Sequence, residues 1–260
     1  MKKWITFDLD ETLMQNPFTG WVFPEIVEII QSTTEDQDLN VMELITDEHY
    51  KRMSANKILE AYDWDNIIMN LLEKLKVPLQ INIEELVNKH CETPKIHLLE
   101  KTILNSLYSI KNKGYALAVA TNGYYKYQYP VLKKLQLIDL FDEIITSDSA
   151  GMAKPDIQML SSLKDRGEIV AHVGDRIDHD ILMANNLGIT SIFINKKIPV
   201  HVLALPVGKR SDSEEFIKFC KEKWVNENKF SQVPFHEKCI PNLVVQSISE
   251  LADYITFNNL

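Results

Sequence analysis

From Lys95 to Asn195 short apolar runs alternate with segments of helical periodicity, and no other property of this chain narrows its fold as far. The runs are YALAVAT, EIITS, EIVAHVGD and SIFIN. Each is close to continuous in apolar residues, where a strand with one wet face would alternate them with polar ones. Strands of this kind are buried on both faces, and with a helix between successive members they form a parallel sheet covered on both sides. The intervening helices run to about Lys113, to about Leu135, onward from Pro155 and from about His179. Near the start WITF is a further strand of the same kind, and LVVQS followed by SELADYI supplies a final strand and helix.

The segment after WITF has a different period. From Trp21 to about Cys91 the apolar positions, such as Ile58, Ala61, Ile67, Ile68, Leu71, Leu72 and Leu75, recur at helical spacing with few alternating β-branched runs. The sequence therefore predicts an α/β protein: a doubly wound parallel-sheet (Rossmann-like) core, residues 1–13 and 95–260, with an α-helical cap domain, residues 14–94, inserted after the first strand.

Charge follows the same division. Between Met14 and Pro94 there are 15 acidic and 6 basic residues, against 22 of each in the remainder, so the net charge of −9 resides in the inserted unit. A solvated acidic helical face explains this most simply, and it disfavours nucleic acid as a partner. Lys2 and Lys3 precede an apolar run as in a signal peptide, but Asp8 and Asp10 interrupt that run too early. No apolar stretch reaches membrane length. Cys91, Cys220 and Cys239 are too few and too scattered for a disulfide framework, so the expected compartment is the cytoplasm.

In open parallel sheets ligands bind beyond the carboxyl ends of the strands, which makes the residues closing each strand the ones to inspect. The first strand closes on Asp8 and Asp10, with Glu11 next. Two carboxylates two positions apart on an extended chain point the same way, and such a pair is costly unless a cation or an organised donor set offsets it. The second strand closes on Thr121, Asn122 and Gly123, and the fourth on Gly174 and Asp175, with Asp178 and Asp180 beyond. Lys154 and Pro155 follow the third, ahead of a helix that Pro155 and Asp156 would start well. Singly these are turn and cap residues; together, in order and at every exit, they mark a site.

FDLDETL, TNG, AKP and VGDRIDHD stand in the order of the four motifs of the haloacid dehalogenase superfamily, which this sequence resembles over residues 1–13 and 95–195. Gln128, Leu135, the FDEIITSD run and Gly151 are also similar to members with a helical cap after the first motif. The resemblance implies a Mg²⁺-dependent phosphohydrolase acting on a small phosphate monoester. It implies Asp8 as nucleophile, Asp10 as general acid and base, and Mg²⁺ held by Asp8, the Asp10 carbonyl and Asp175. Thr121 and Asn122 with Lys154 would hold the phosphoryl oxygens, and Asp180 would organise Lys154 or the metal. Asp178 would cap the helix near His179.

Asp10 favours phosphoryl chemistry, since dehalogenating members of the family lack this acid. A phosphomutase is a second reading. A phosphonate hydrolase would need a Schiff-base lysine from the cap, such as Lys51 or Lys57. A non-catalytic binding or regulatory protein is the alternative outside enzymes, and buried paired acids speak against it.

Two aromatic groups flank these motifs. Tyr124, Tyr125, Tyr127 and Tyr129 follow TNG, where they could line an entrance or stack on a ring, and packing of a first helical turn against a neighbour is the plainer role; Phe18, Trp21 and Phe23 open the cap, where they could contact substrate, and burial between cap and core is the plainer role. Residues 198–241 form an extra insertion before the last strand. Within it SDSEEFIKFCKEKWVNE predicts a helix with Ser211 or Asp212 near its N-cap. The spacing of His201, Cys220, His236 and Cys239 fits no compact zinc module. The insertion is expected to cover the sheet edge or to form a homodimer contact.

Overall fold

A computed structural model of the chain describes residues 1–34, 38–229, 233–258 and 260. The strands are β1 (Lys2–Phe7), β2 (Met14–Gln15), β3 (His97–Leu98), β4 (Tyr115–Thr121), β5 (Glu143–Thr146), β6 (Gly167–Gly174), β7 (Thr190–Ile194) and β8 (Leu243–Val245). Six of them form one sheet in the order β5-β4-β1-β6-β7-β8, and every pairing in it is parallel. The expected doubly wound α/β core is thus present, with β1 at its centre.

The side-chain period of two sorts the residues of β4 by size. Leu117 and Val119 point, with Ile5, Phe7, Ala171 and Val173, into the larger hydrophobic cluster. Ala116, Ala118 and Ala120 point the other way, where Trp4, Met159, Leu160, Leu163 and Met183 pack close to the sheet. Small residues let these elements approach, and a leucine at Ala118 would overpack the face by about 1–3 kcal/mol.

Between β2 and β3 the described residues form a π-helical turn, Phe18–Val22, and five α-helices: α1 (Phe23–Gln31), α2 (Val41–Ser54), α3 (Ile58–Ala61), α4 (Trp64–Leu75) and α5 (Ile83–His90). Asn40, Asp63 and Asn82 each accept a first-turn amide, from Glu43, Asn66 and Glu85, which starts three of them by N-capping. The chain leaves and rejoins the sheet side by side, because β2 and β3 pair antiparallel.

The remaining helices are α6 (Ile103–Asn112), α7 (Tyr125–Lys134), α8 (Ser147–Ala150), α9 (Ser161–Lys164), α10 (Leu182–Leu187), α11 (Val200–Leu203), α12 (Glu214–Glu227) and α13 (Ile248–Phe257). Helix α7 is fastened to the helical segment: Tyr127 Oη donates to Asp65 Oδ2 (2.8 Å), Lys126 pairs with the same carboxylate, and Tyr124 Oη donates to the Leu59 carbonyl. Tyr124 and Tyr127 therefore have the packing role, whereas Tyr125 is exposed and stacks on Tyr129.

The insertion is built into the core. Phe216, Cys220 and Trp224 of α12 pack on Phe193 of β7 and Val244 of β8. The buried Arg210 spends its donors on Glu250 of α13, bidentately at 2.7 and 2.9 Å, and on the carbonyls of Leu203, Leu205 and Val244. Ser213, not Ser211 or Asp212, caps α12, accepting from the Phe216 amide; Ser211 donates instead to the Asn242 carbonyl. Among the described residues no helix is long and apolar enough to cross a membrane.

Candidate active site

The exits of β1, β4 and β6, with the loop after β5, converge on one cavity of about 320 Å³, lined by Asp8, Asp10, Thr121, Asn122, Lys154, Asp175 and Asp180. The seven residues proposed as nucleophile, acid and base, phosphate holders and metal ligands therefore all lie in it, whereas Asp178, Lys51 and Lys57 do not line it. Phe18, Phe23, Tyr62 and Trp64 of the helical segment form another wall. A larger groove of about 1070 Å³ runs along α4 and α5, but its titratable side chains are those of an open surface, and the strand exits do not reach it.

Asp8 continues β1, its amide donating to the Val173 carbonyl (2.8 Å). Its Oδ1 accepts from Lys154 Nζ at 2.5 Å, and Oδ2 has only a long contact of 3.5 Å from Thr12. The same ammonium donates to Asp180 Oδ1 at 2.6 Å. One cation thus serves two buried carboxylates. Asp180 also accepts from His172 Nε2 (3.0 Å) and the Arg176 amide (2.9 Å).

These partners, Lys154 foremost, hold Asp180 ionised far below the usual carboxylate range against its burial. Asp8 is pushed up instead, because desolvation and the neighbouring acids outweigh its share of Lys154. Lys154, though buried, is raised by the two carboxylates and stays charged.

His172 is held neutral by burial. Facing a carboxylate, it must carry its proton on Nε2, which leaves Nδ1 to accept from Thr6 Oγ1 at 2.7 Å. The chain Thr6, His172, Asp180, Lys154, Asp8 starts on β1, crosses to β6 and returns to the end of β1.

Among the described residues Asp10 forms no ion pair, and Lys154 bears on it only at a distance. Asn16 Nδ2 donates to its Oδ1 (2.6 Å) and Gln128 Nε2 to its Oδ2 (2.7 Å). Burial raises this carboxyl group, and the two amides only partly offset the shift. Gly123 makes room for the arrangement, since a Cβ there would stand 2.2 Å from Gln128 Nε2. Gly174 does the same for Asp180, whose Cγ would lie 2.2 Å from an added Cβ.

Asn122 is turned away from the cavity's reacting end. Its Oδ1 accepts from the Lys154 amide (2.7 Å), and its Nδ2 donates to the Lys154 carbonyl (3.1 Å). Any contact of Asn122 with a ligand would therefore run through its main chain. Thr121 is buried beside it, with Oγ1 accepting from the Gly123 amide (3.2 Å). Asp178 does not cap a helix. It takes Arg176 bidentately, at 2.9 and 2.7 Å.

Asp175, at the end of β6, is pushed up to about 7 by burial, which Lys223 at 3.6 Å offsets in part. Oxygens of Asp8, Asp175 and Asp180 lie within 4.8 Å of one another, the one such grouping of potential metal ligands among the described residues. Asp180 already accepts from three donors, while Asp8 Oδ2 has only its long contact and Asp175 faces Lys223 at 3.6 Å. An all-carboxylate set with too few cations suits a hard divalent ion such as Mg²⁺. No comparable set forms from His201, Cys220, His236 and Cys239; Cys220 Sγ donates instead to the Cys239 carbonyl.

Sequence reading left out Asn16, His172, Arg176, His179, Lys223 and Glu227, and gave Gln128 no role. His172 carried a signal, being a polar residue inside an apolar strand. Burial holds His179 neutral, down to about 4, and Tyr62 of the helical segment packs its ring edge-on against it at 6.3 Å.

Comparison with known proteins identifies the family. The model of the haloacid dehalogenase-like hydrolases matches residues 5–194. A glyceraldehyde 3-phosphate phosphatase of Methanocaldococcus jannaschii is 30% identical over 208 residues, 75% of this chain and 86% of the relative. One of Methanothermobacter thermautotrophicus is 27% identical over 210 residues, 76% and 88% of the two chains. A crystal structure of a HAD phosphatase from Thermococcus onnurineus superposes with a TM-score of 0.59 at 19% identity, covering 100% of both chains. With the matched span holding all four strand exits, the chain belongs to the haloacid dehalogenase-like hydrolase family and is a hydrolase enzyme.

Proposed function

We propose that this chain is a Mg²⁺-dependent phosphatase that cleaves a small phosphate monoester through an aspartyl-phosphate on Asp8, with residues 14–94 as a cap over the site. The observation that carries it is the contrast between Asp8 and Asp10, one set against an ammonium and two acids, the other held by neutral amides alone. A phosphate ester repels an anionic attacker, so the attacker belongs where positive charge is concentrated. A proton donor belongs where burial keeps its proton on.

Asp8 Oδ2 attacks phosphorus, and the bond from phosphorus to the ester oxygen breaks. Asp10 gives its proton to that oxygen as the alcohol leaves. Water then attacks phosphorus, Asp10 takes back a proton, and the acyl-phosphate P–O bond breaks to free Asp8 and inorganic phosphate. Asp8, Asp175 and the Asp10 carbonyl would hold Mg²⁺, which when bound neutralises charge on the phosphoryl oxygens. Lys154 bears on both Asp8 and the transferred group, and Asp180 keeps it in place.

The cavity of about 320 Å³ suits a compact ester, and the relatives named for glyceraldehyde 3-phosphate favour a three-carbon or similarly small sugar phosphate. The test is phosphate release from a panel of phosphorylated metabolites, with and without Mg²⁺, for wild type and Asp8→Asn. Metal-dependent turnover that the variant loses supports the reading. Turnover that survives in Asp8→Asn sinks the nucleophile, and silence across the panel sinks the hydrolysis.

A further inference from the structure

Helix α12 belongs to the insertion between β7 and β8, and two of its side chains line the same cavity as the acids: Lys223 and Glu227. The segment they meet is the one carrying Asp175. After β6 the chain makes a wide turn at Ile177–Ile181 that has no side-chain cap of its own, because Asp178 is committed to Arg176. Its first amides need an acceptor from elsewhere. Glu227 Oε2 supplies it, accepting from the Ile177 amide at 3.0 Å and the Asp178 amide at 3.2 Å.

The other oxygen pairs with Lys223 Nζ at 2.9 Å. Lys223 stands in turn 3.6 Å from Asp175 Oδ2. The insertion therefore grips residues 175–178 twice, by the main chain through Glu227 and by the Asp175 carboxylate through Lys223. Both groups are largely buried, with 7% and 20% of their side chains exposed, unlike an ordinary surface pair at this spacing.

We propose that α12 is a structural wall of the active site and that Glu227, supported by Lys223, is a positioning residue that fixes the Asp175 loop for metal binding. The proposal rests on the metal reading given above. Groups that orient a metal ligand from behind ordinarily affect metal affinity 10- to 100-fold.

The test compares Glu227→Ala, Glu227→Gln and the exposed control Val225→Ala on the full chain. One readout is amide hydrogen exchange at Ile177 and Asp178 without metal; the other is the Mg²⁺ dissociation constant by calorimetry. In Glu227→Ala exchange at both amides speeds up more than about tenfold and Mg²⁺ binds about 10- to 100-fold more weakly. Glutamine keeps an oxygen able to accept both amides, so Glu227→Gln stays within about threefold of wild type. Val225→Ala changes neither.

Should the alanine variant not fold, Glu227→Asp, one methylene too short to reach the amides, replaces it. Unchanged exchange and metal affinity in a folded Glu227→Ala would overturn the proposal, leaving α12 as a cover for the sheet. An equal loss in Glu227→Gln would also overturn it, since charge would then matter and the amide grip would not. If wild type binds Mg²⁺ but releases no phosphate from any ester, the phosphatase reading falls while the grip stands. If wild type is an active phosphatase and the exchange data are flat, the grip alone falls.

Discussion

Asp8 and Asp10 are separated by one residue on the same strand end, yet they are kept in opposite company. Asp8 lies 2.5 Å from an ammonium with two further acids beside it, whereas Asp10 touches only the side-chain amides of Asn16 and Gln128. Burial presses on both alike. The difference therefore comes from partners: one carboxylate is placed where a second cation would hold it ionised, the other where losing its proton brings no compensating charge.

The comparison breaks first at Asp8. Asp8→Asn keeps the shape and removes the anion proposed as nucleophile, so kcat should fall by at least about 10⁴-fold with every substrate. Next comes Asp10→Asn, with a loss of about 10²- to 10⁴-fold. This loss should shrink for an ester whose leaving group departs without a proton, such as a nitrophenolate, while that of Asp8→Asn should not. Equal sensitivity of the two variants to the leaving group would erase the distinction.

A smaller effect sharpens it. Gln128→Leu should lower kcat about ten- to a hundredfold with KM little changed, because Asp10 keeps one anchor and loses aim. Gly123→Ala should imitate it, since the new methyl group displaces the Gln128 amide. A wild-type kcat in both variants would show that Asp10 needs no aiming.

The smallest effect is one of pH. Asp175 and Glu227 are each pushed up to about 7, with burial the main cause. Their folded pKa values lie above the unfolded ones, so their stabilising contribution is complete below about pH 4 and is lost as pH rises through about 7. Mg²⁺, on the proposed reading, would bind the deprotonated cluster and should repair that loss. It is expected to raise Tm by several degrees at pH 8 and hardly at all at pH 5.5. His179, held down to about 4, works in the other direction, losing its contribution as pH falls from about 6.5. It cancels when the two metal conditions are compared at one pH. An equal Mg²⁺ shift at both pH values would count against Asp175 as a ligand.

How far the site was legible follows from geometry. Paired acids on an extended strand must share a face, and a parallel sheet puts its strand exits at one edge, so the strand pattern could gather Asp8, Asp10, Thr121, Lys154 and Asp175, while their roles came from the family resemblance. Lys223 and Glu227 could not. A lysine and a glutamate four apart on a helix look the same whether the helix faces water or a cavity, and only the path of residues 198–241 decides which. Asn122 was legible as a residue of the site but not in its orientation, since a turn sequence does not say which way an amide faces.

That amide has a consequence for how substitutions combine. One side chain from the exit of β4 holds both main-chain groups of Lys154, the N–H at 2.7 Å and the carbonyl at 3.1 Å. The two strand exits thus share a brace, and a double-mutant cycle across Asn122 and Lys154 should be strongly non-additive. Once Asn122→Ala has let the loop drift, removing the lysine has less left to spoil.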